Sequence, residues 1–414
     1  MVMKSSGATE KPEEYDDDYD IVISNVHIFD GQKELSGLYH VGVRGRAISS
    51  ISDTPLEGRA TVDGCGGWLM PGLIDTHVHF INPWVVRDPD SLEDFIHNTA
   101  PAVLDLFLEH GVTSIKSVGD ATTEILELRA KLAAGVMRGP RLFVTGCGIT
   151  GRDGHPASTI LGGNPWYRAR AAGEVDSAQM MRDLVHHLAD RKVDAIKLLS
   201  EGGCWCPGSP KYLWKNAVFP IAVELVRLPT KILRAGVETA HERGLRVTVH
   251  TVQQDAAIEA VEAGADGLEH GVAIEPITDK ALIDMMVERG ITYTPTLWIH
   301  DEMHPISRPN TKVMLDAGVT IVLGSDSFAG RGKWGSNTIE EAELLVAAGL
   351  SPLQALAAGT SIAARHLDRS DLGTLAAGKR ADMILLAESP LNSISNLRTL
   401  KMTILSGEIL VDRR

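Results

Sequence analysis

Between Leu73 and Gly324 short apolar runs alternate with longer stretches in which apolar residues recur at helical spacing. The short runs are Leu73 to His79, Val112 to Val118, Arg141 to Gly146, Ala195 to Leu199, Arg246 to Thr251, Gly267 to Gly271, Ile291 to Leu297 and Thr320 to Gly324. They are rich in β-branched residues and read as eight strands. The intervening patterns predict helices over Leu92 to His110, Thr122 to Ala134, Ser177 to Arg191, Leu233 to Arg243, Gln254 to Ala263 and Thr278 to Arg289. Gly111, Gly244, Gly264, Gly290 and Gly318 fall where helices would stop. Helix, glycine, β-branched strand is the order of βα units, and eight such strands suit a distorted (β/α)8 TIM-like barrel in an α/β protein.

The ends of the chain follow another pattern. Ile21 to Ile28, Tyr39 to Val43 and Ala47 to Ile51 at one end, and Asp382 to Leu386, Leu400 to Leu405 and Glu408 to Val411 at the other, are short β-rich pieces separated by turn residues. Neither set can close a core alone. They predict a small β-sandwich domain built from both termini, over 20–70 and 371–414, flanking a barrel over 71–370. Residues 1–19, with Glu10, Glu13, Glu14, Asp16, Asp17 and Asp18, read as a flexible acidic tail.

Composition narrows the class of partner. The chain has 414 residues, 44% of them hydrophobic and 23% charged, so core material is ample. A net charge of −14 argues against nucleic acid and anionic membranes as partners. No apolar run approaches a membrane span and no signal region opens the chain, so a cytoplasmic setting is expected. Cys65, Cys147, Cys204 and Cys206 are too few for a disulfide scaffold.

Candidate chemistry gathers at the strand ends. His77 and His79 share one side of the first strand, because side chains alternate with period two. With 15 histidines in the chain this pair carries little by itself. Lys197, His250, His270 and Asp326 also lie in or just after predicted strands, where a barrel would bring them onto one face. Each has a structural alternative. Lys197 alone reads as the partner of Glu201, the histidines as satisfied core residues, and Asp326 within Ser325-Asp326-Ser327 as a helix cap.

The run Pro71 to His79, Lys197, His250, His270 and Gly324-Ser325-Asp326 together resemble the metal-binding set of the amidohydrolase superfamily. Gly373-Thr374-Leu375 followed by Gly378 to Asp382 resembles its return from barrel to sandwich. Around Lys197, His250 and Leu268-Glu269-His270-Gly271 the chain is most similar to prolidase-like and imidazolonepropionase-related hydrolases. The resemblance implies two divalent metal ions, Zn2+ being expected. His77, His79 and Asp326 would hold one and His250 and His270 the other, with Lys197 bridging as a carbamate formed with CO2. Two such ions can clamp one hydroxide and lower its pKa. Asp326 would act as general base and then acid.

His155, in Gly151-Arg152-Asp153-Gly154-His155, resembles a position that reaches the substrate in this branch. A surface histidine is the alternative. The long segment after Lys197 offers Trp205, Tyr212 and Trp214 as stacking surface, with Tyr212 taken as a substrate-binding residue. Cys204 and Cys206 there read as incidental. His300 and His304 read as a solvated loop, and His186 and His187 as helix surface. Arg152, Arg168, Lys211, Arg331 and Lys333 are unranked candidates for a substrate carboxylate. The short segment before the eighth strand and the segment Cys204 to Leu228 depart from the family pattern, which bears on the substrate alone.

The expected activity is hydrolysis of an amide bond in a small molecule, a dipeptide or N-acyl amino acid, by a homo-oligomer. A lactonase or phosphotriesterase would use the same two metals. A mononuclear deaminase would want a glutamate three residues after His250, where Gln253 stands.

Overall fold

The fold was described from a computed structural model. It describes residues 19–81, 83–201, 211–213, 222–224, 226–301, 304–328 and 333–414, with the side chains of 211–213 and 222–224 left aside. The acidic residues 1–18 lie outside the described part.

Five strands open the chain: β1 (Tyr19–Phe29), β2 (Glu34–Arg44), β3 (Ala47–Ser52), β4 (Gly58–Asp63) and β5 (Trp68–Pro71). The first begins at Tyr19, which the sequence placed in the tail. The central strands are β6 (Leu73–His79), β7 (Val112–Ser117), β8 (Arg141–Val144), β9 (Gly148–Gly151), β10 (Ala172–Val175), β11 (Ile196–Leu199), β12 (Lys211–Leu213), β13 (Ala222–Glu224), β14 (Val247–His250), β15 (Gly267–Glu269), β16 (Thr292–Thr294), β17 (Thr320–Ile321) and β18 (Ser327–Phe328). The chain closes with β19 (Met383–Leu386), β20 (Leu400–Leu405) and β21 (Glu408–Asp412).

Both termini do meet, in one branched sheet ordered β21-β20-β19-β5-β1-β2-β3, with β4 also on β1. The hydrogen bonding is continuous, where a sandwich was expected as two sheets. The branch arises because β1 pairs β4 through Tyr19 to Ser24 and then β5 through His27 and Ile28. Ile23, Val41, Leu69, Met383 and Met402 fill a core drawn from both ends of the sequence. Chain passes from this sheet into β6 through Gly72, whose backbone N–H donates to Asp382 O at 3.0 Å. A Cβ there would stand 2.2 Å from the Thr113 side chain, so glycine permits the approach.

Apart from the antiparallel pair β12 and β13, the central strands are parallel and fall into two sheets, β10-β9-β11-β14-β15-β16-β17 and β18-β6-β7-β8. Backbone bonds between flanking residues connect them, from Thr76 N to Leu323 O on one side and from Asp194 N to Val144 O on the other. Among the described residues no helix is long and apolar enough to cross a membrane.

Most predicted elements recur with shorter ends, and Gln254–Ala263 is a helix over the predicted span. Leu92 to His110 is not one α-helix. A helix Pro89–Asp94 runs into a π-helical turn, Phe95–Thr99, and then into the helix Ala100–Glu109. Pro101 near that junction has no N–H to give to an earlier carbonyl, which accounts for the break in the regular ladder.

Candidate active site

The strands deliver the expected residues to one place. His77 and His79 end β6, and their Nε2 atoms lie 3.5 and 3.3 Å from Asp326 Oδ1. His270 follows β15, its ring centroid 4.9 Å from that of His77 and 4.6 Å from that of His250. Lys197 lies in β11 beside the end of β14, and its buried Nζ has no hydrogen-bond partner. All six residues line one pocket, together with His155. Asp326 is not a helix cap: Ser327 and Phe328 pair with Val78 and His79 as β18.

A shell of buried groups fixes these side chains. Glu269 accepts from His77 Nδ1 at 2.7 Å and from Lys116 Nζ at 3.2 Å, and all three are buried. His77 therefore carries its proton on Nδ1 and turns the Nε2 lone pair toward Asp326. Lys116 Nζ also lies 2.8 Å from His366 Nε2, whose ring meets the Thr292 hydroxyl through Nδ1 at 3.0 Å. Asp75 accepts from the backbone N–H of His77 and Ser325 and from the Ser325 and Thr338 hydroxyls, tying β6 to the turn before Asp326. Backbone strain collects here: His270, Thr296 and Asp326 have φ of 64, 47 and 53°. Left-handed backbone is rare for such residues and is kept where the surroundings enforce it.

The donor set fits divalent metal. Among the described residues His77 Nε2, His250 Nε2 and Lys197 Nζ are buried without a hydrogen-bond partner, which proteins seldom tolerate unless something else binds there. Ligand-capable atoms of His77, His79 and Asp326 lie within 4.8 Å of one another. Burial, then the neighbouring lysine charge, pushes the His77 imidazole down to about 4, and burial holds His250 and His270 well below their usual value. They are neutral near pH 7, the form that binds Zn2+. Burial favours protonated Asp326, but His77 and His79 outweigh it and hold the carboxyl down to about 2.

His155 is no surface histidine. Its ring stacks on His250 with centroids 4.8 Å apart, and its Nδ1 meets the Thr159 hydroxyl at 2.6 Å. His300 and His304 are buried, not solvated. The chain leaves β16, turns at Thr296 and forms a short helix, Leu297–His300, that returns His300 to the cluster. Sequence reasoning also passed over Lys116, Glu269 as a support, and Asp120, which accepts from the Phe80 N–H, the Ser117 hydroxyl and the Tyr167 hydroxyl. The side chains of Tyr212 and Lys211 and all of Cys204, Trp205, Cys206, Trp214 and Arg331 lie outside the described residues. Arg152 is bound to Asp176, Arg168 to Glu174 and Asp153, and Lys333 to Glu340. Among the described lining residues Lys197 is the sole lysine or arginine, and Ile81, Trp84, Ile160, Leu161, Ile299 and Phe328 give the pocket an apolar wall.

Glu201 does not pair with Lys197. Its Oε1 accepts from the Val252 and Gln253 N–H groups at 2.5 and 2.6 Å, while Oε2 is buried without a partner among the described residues. Burial raises its carboxyl to about 7 from an ordinary 4.5. A raised folded-state value means stability that is full below about pH 4.5 and lost as pH rises through about 7. Glu201→Gln keeps the accepting oxygen and removes the charge. The variant is expected to exceed the parent in stability at about pH 8 by roughly 3 kcal/mol, and by under about 1 kcal/mol at pH 5. Urea unfolding at the two pH values measures this; equal differences at both would refute it.

Comparison with known proteins agrees with this geometry. An amidohydrolase family model matches residues 68–410. An uncharacterized protein of Mycobacterium tuberculosis (strain ATCC 25618 / H37Rv) is 26% identical over 382 residues, 86% of this chain and 89% of that protein. An imidazolonepropionase of Anaeromyxobacter dehalogenans (strain 2CP-1 / ATCC BAA-258) is 25% identical over 369 residues, 83% of each. In fold the chain is similar to a Xaa-Pro dipeptidase solved with methionine bound in its active site, with a TM-score of 0.77, 23% identity and coverage of 94% of this chain and 99% of that one. With a family match over most of its length, and buried imidazoles, a lysine and an aspartate converging at its strand ends, this chain belongs to the amidohydrolase family of hydrolases acting on carbon–nitrogen bonds.

Proposed function

We propose that the protein is a binuclear metal-dependent amidase on a (β/α)8 barrel, cleaving a dipeptide or N-acyl amino acid. The observation that carries the reading is the convergence of His77, His79, His250, His270 and Asp326 around a buried lysine with no partner. When bound, the ions would polarise the scissile carbonyl and acidify water. His77, His79 and Asp326 would hold one and His250 and His270 the other, with Lys197 between them. Burial pushes the Lys197 ammonium down to about 8, so it yields the free amine that reacts with CO2 to give a bridging carbamate.

Asp326 takes the proton from the water that attacks the carbonyl carbon and delivers it to the departing amine nitrogen, so that water is added across the C–N bond. Glu269 holds His77 in the tautomer that leaves Nε2 free. His155, turned into the pocket beside His250, contacts the substrate. The apolar wall favours a substrate whose group beside the scissile bond is bulky and uncharged. The imidazolonepropionase and Xaa-Pro dipeptidase likenesses support cleavage of a C–N bond in an amino-acid-like molecule. A cytoplasmic homo-oligomer acting on small molecules, without nucleic-acid or membrane partner, belongs to the same proposal.

Hydrolysis of a panel by Zn2+-loaded protein, with a chelated control, tests it. Chelator-sensitive cleavage of Xaa-Pro and other dipeptides or of N-acyl amino acids is expected, fastest with apolar side chains. Turnover confined to lactones or aryl phosphotriesters would keep the site and overturn the substrate class.

A further inference from the structure

His300 stands among the expected ligands without belonging to the pattern that points to them. Its side chain is 1% exposed and its Nδ1 has no hydrogen-bond partner among the described residues. Its ring meets that of His270 edge-on, 4.9 Å between centroids. Ligand-capable atoms of His270, His300 and Asp326 lie within 4.8 Å of one another, a second such group that shares Asp326 with His77 and His79.

The backbone is built to put it there. Thr296 is β-branched and sits at φ 47°, a conformation that such residues rarely adopt. Its hydroxyl meets His270 Nδ1 at 2.7 Å, and its carbonyl accepts from the His300 N–H at 3.3 Å. One strained residue therefore sets both imidazoles. The buried Glu341 carboxylate accepts from the Leu297 and Trp298 N–H groups at 3.0 and 2.6 Å, clamping the start of the short helix. Strain supported by a buried acid is kept where it serves the site.

We infer that His300 is a third imidazole ligand in the second metal position, beside His250 and His270. The inference rests on the binuclear reading above. Catalytic zinc sometimes expands from four to five ligands, so a third imidazole would be compatible with Lys197 and a water at the same ion. His304, four residues further along the chain with its ring 5.6 Å from that of His300, serves as the comparison.

The test titrates metal-free protein with Zn2+ by calorimetry and with Co2+ by visible absorption. It uses the parent chain, His300→Ala, His300→Gln and His304→Ala. The parent is expected to take two ions. Both His300 variants should take the first with parental affinity and the second at least about tenfold more weakly, with an altered Co2+ band at the second equivalent. His304→Ala should match the parent. The glutamine variant preserves bulk and polarity and carries the test if the alanine variant does not fold. Two ions bound to a His300 variant with parental affinity and spectrum would overturn the inference, even if hydrolysis fell, since His300 would then face the substrate. A parent chain that takes only one ion would overturn the binuclear reading and this inference with it.

Discussion

Lys197→Ala is expected to reduce hydrolysis to the level of the chelated control and to remove most bound metal. Lys197 is 2% exposed and its Nζ has no hydrogen-bond partner among the described residues, an arrangement that a merely structural lysine would not retain. Burial favours the neutral amine, and at about 8 its pKa leaves roughly a tenth of it as free amine near pH 7. On the proposed reading the amine would take up CO2, releasing a proton, as a carbamate whose two oxygens could span two ions. Removing Nζ removes that bridge. Acetate or propionate should restore part of the metal content and part of the activity, because a carboxylate has the same pair of oxygens. Lys197→Met, which fills the space without an amine, should be inactive and resist rescue. Metal content by mass spectrometry and initial rates with and without added acid provide the readouts, and full activity in Lys197→Ala would sink the bridging role.

What could be read without the fold was what repeats locally. β6 has its predicted bounds because two histidines at period-two spacing end an apolar run. The helix Gln254–Ala263 stops where Gly264 takes φ 97°. Strand β9, Gly148–Gly151, escaped notice because glycine at both ends leaves no apolar run; its identity comes from neighbours, β10 and β11, that the sequence does not place beside it. His300 escaped because Thr296 and Glu341, the latter 44 residues from Leu297, supply its position. Lys116 and Glu269 are 153 residues apart, so no local pattern joins them. The residues expected to hold metal were legible from strand ends, while their supports are distant partners.

Glu269→Gln is expected to lower both metal affinity and stability, for separate reasons that a second substitution can divide. The carboxylate accepts from His77 Nδ1 and also neutralises the buried Lys116 ammonium. Burial favours its protonation, but Lys116, Lys197 and His77 outweigh that and hold the carboxyl well below its usual value. An amide offers a weaker acceptor to His77 and relaxes its tautomer, which should cost about 10–100-fold in metal affinity or activity. The same change strands a buried cation, a loss of about 3–5 kcal/mol in pairs of this kind. Adding Lys116→Met removes the stranded charge and replaces it with an apolar side chain of similar length. The double variant should therefore regain most of the stability in urea unfolding while its Zn2+ affinity stays low. Recovery of both together would mean that Glu269 acts on the metal site only through the fold; recovery of stability alone identifies it as the group that orients His77.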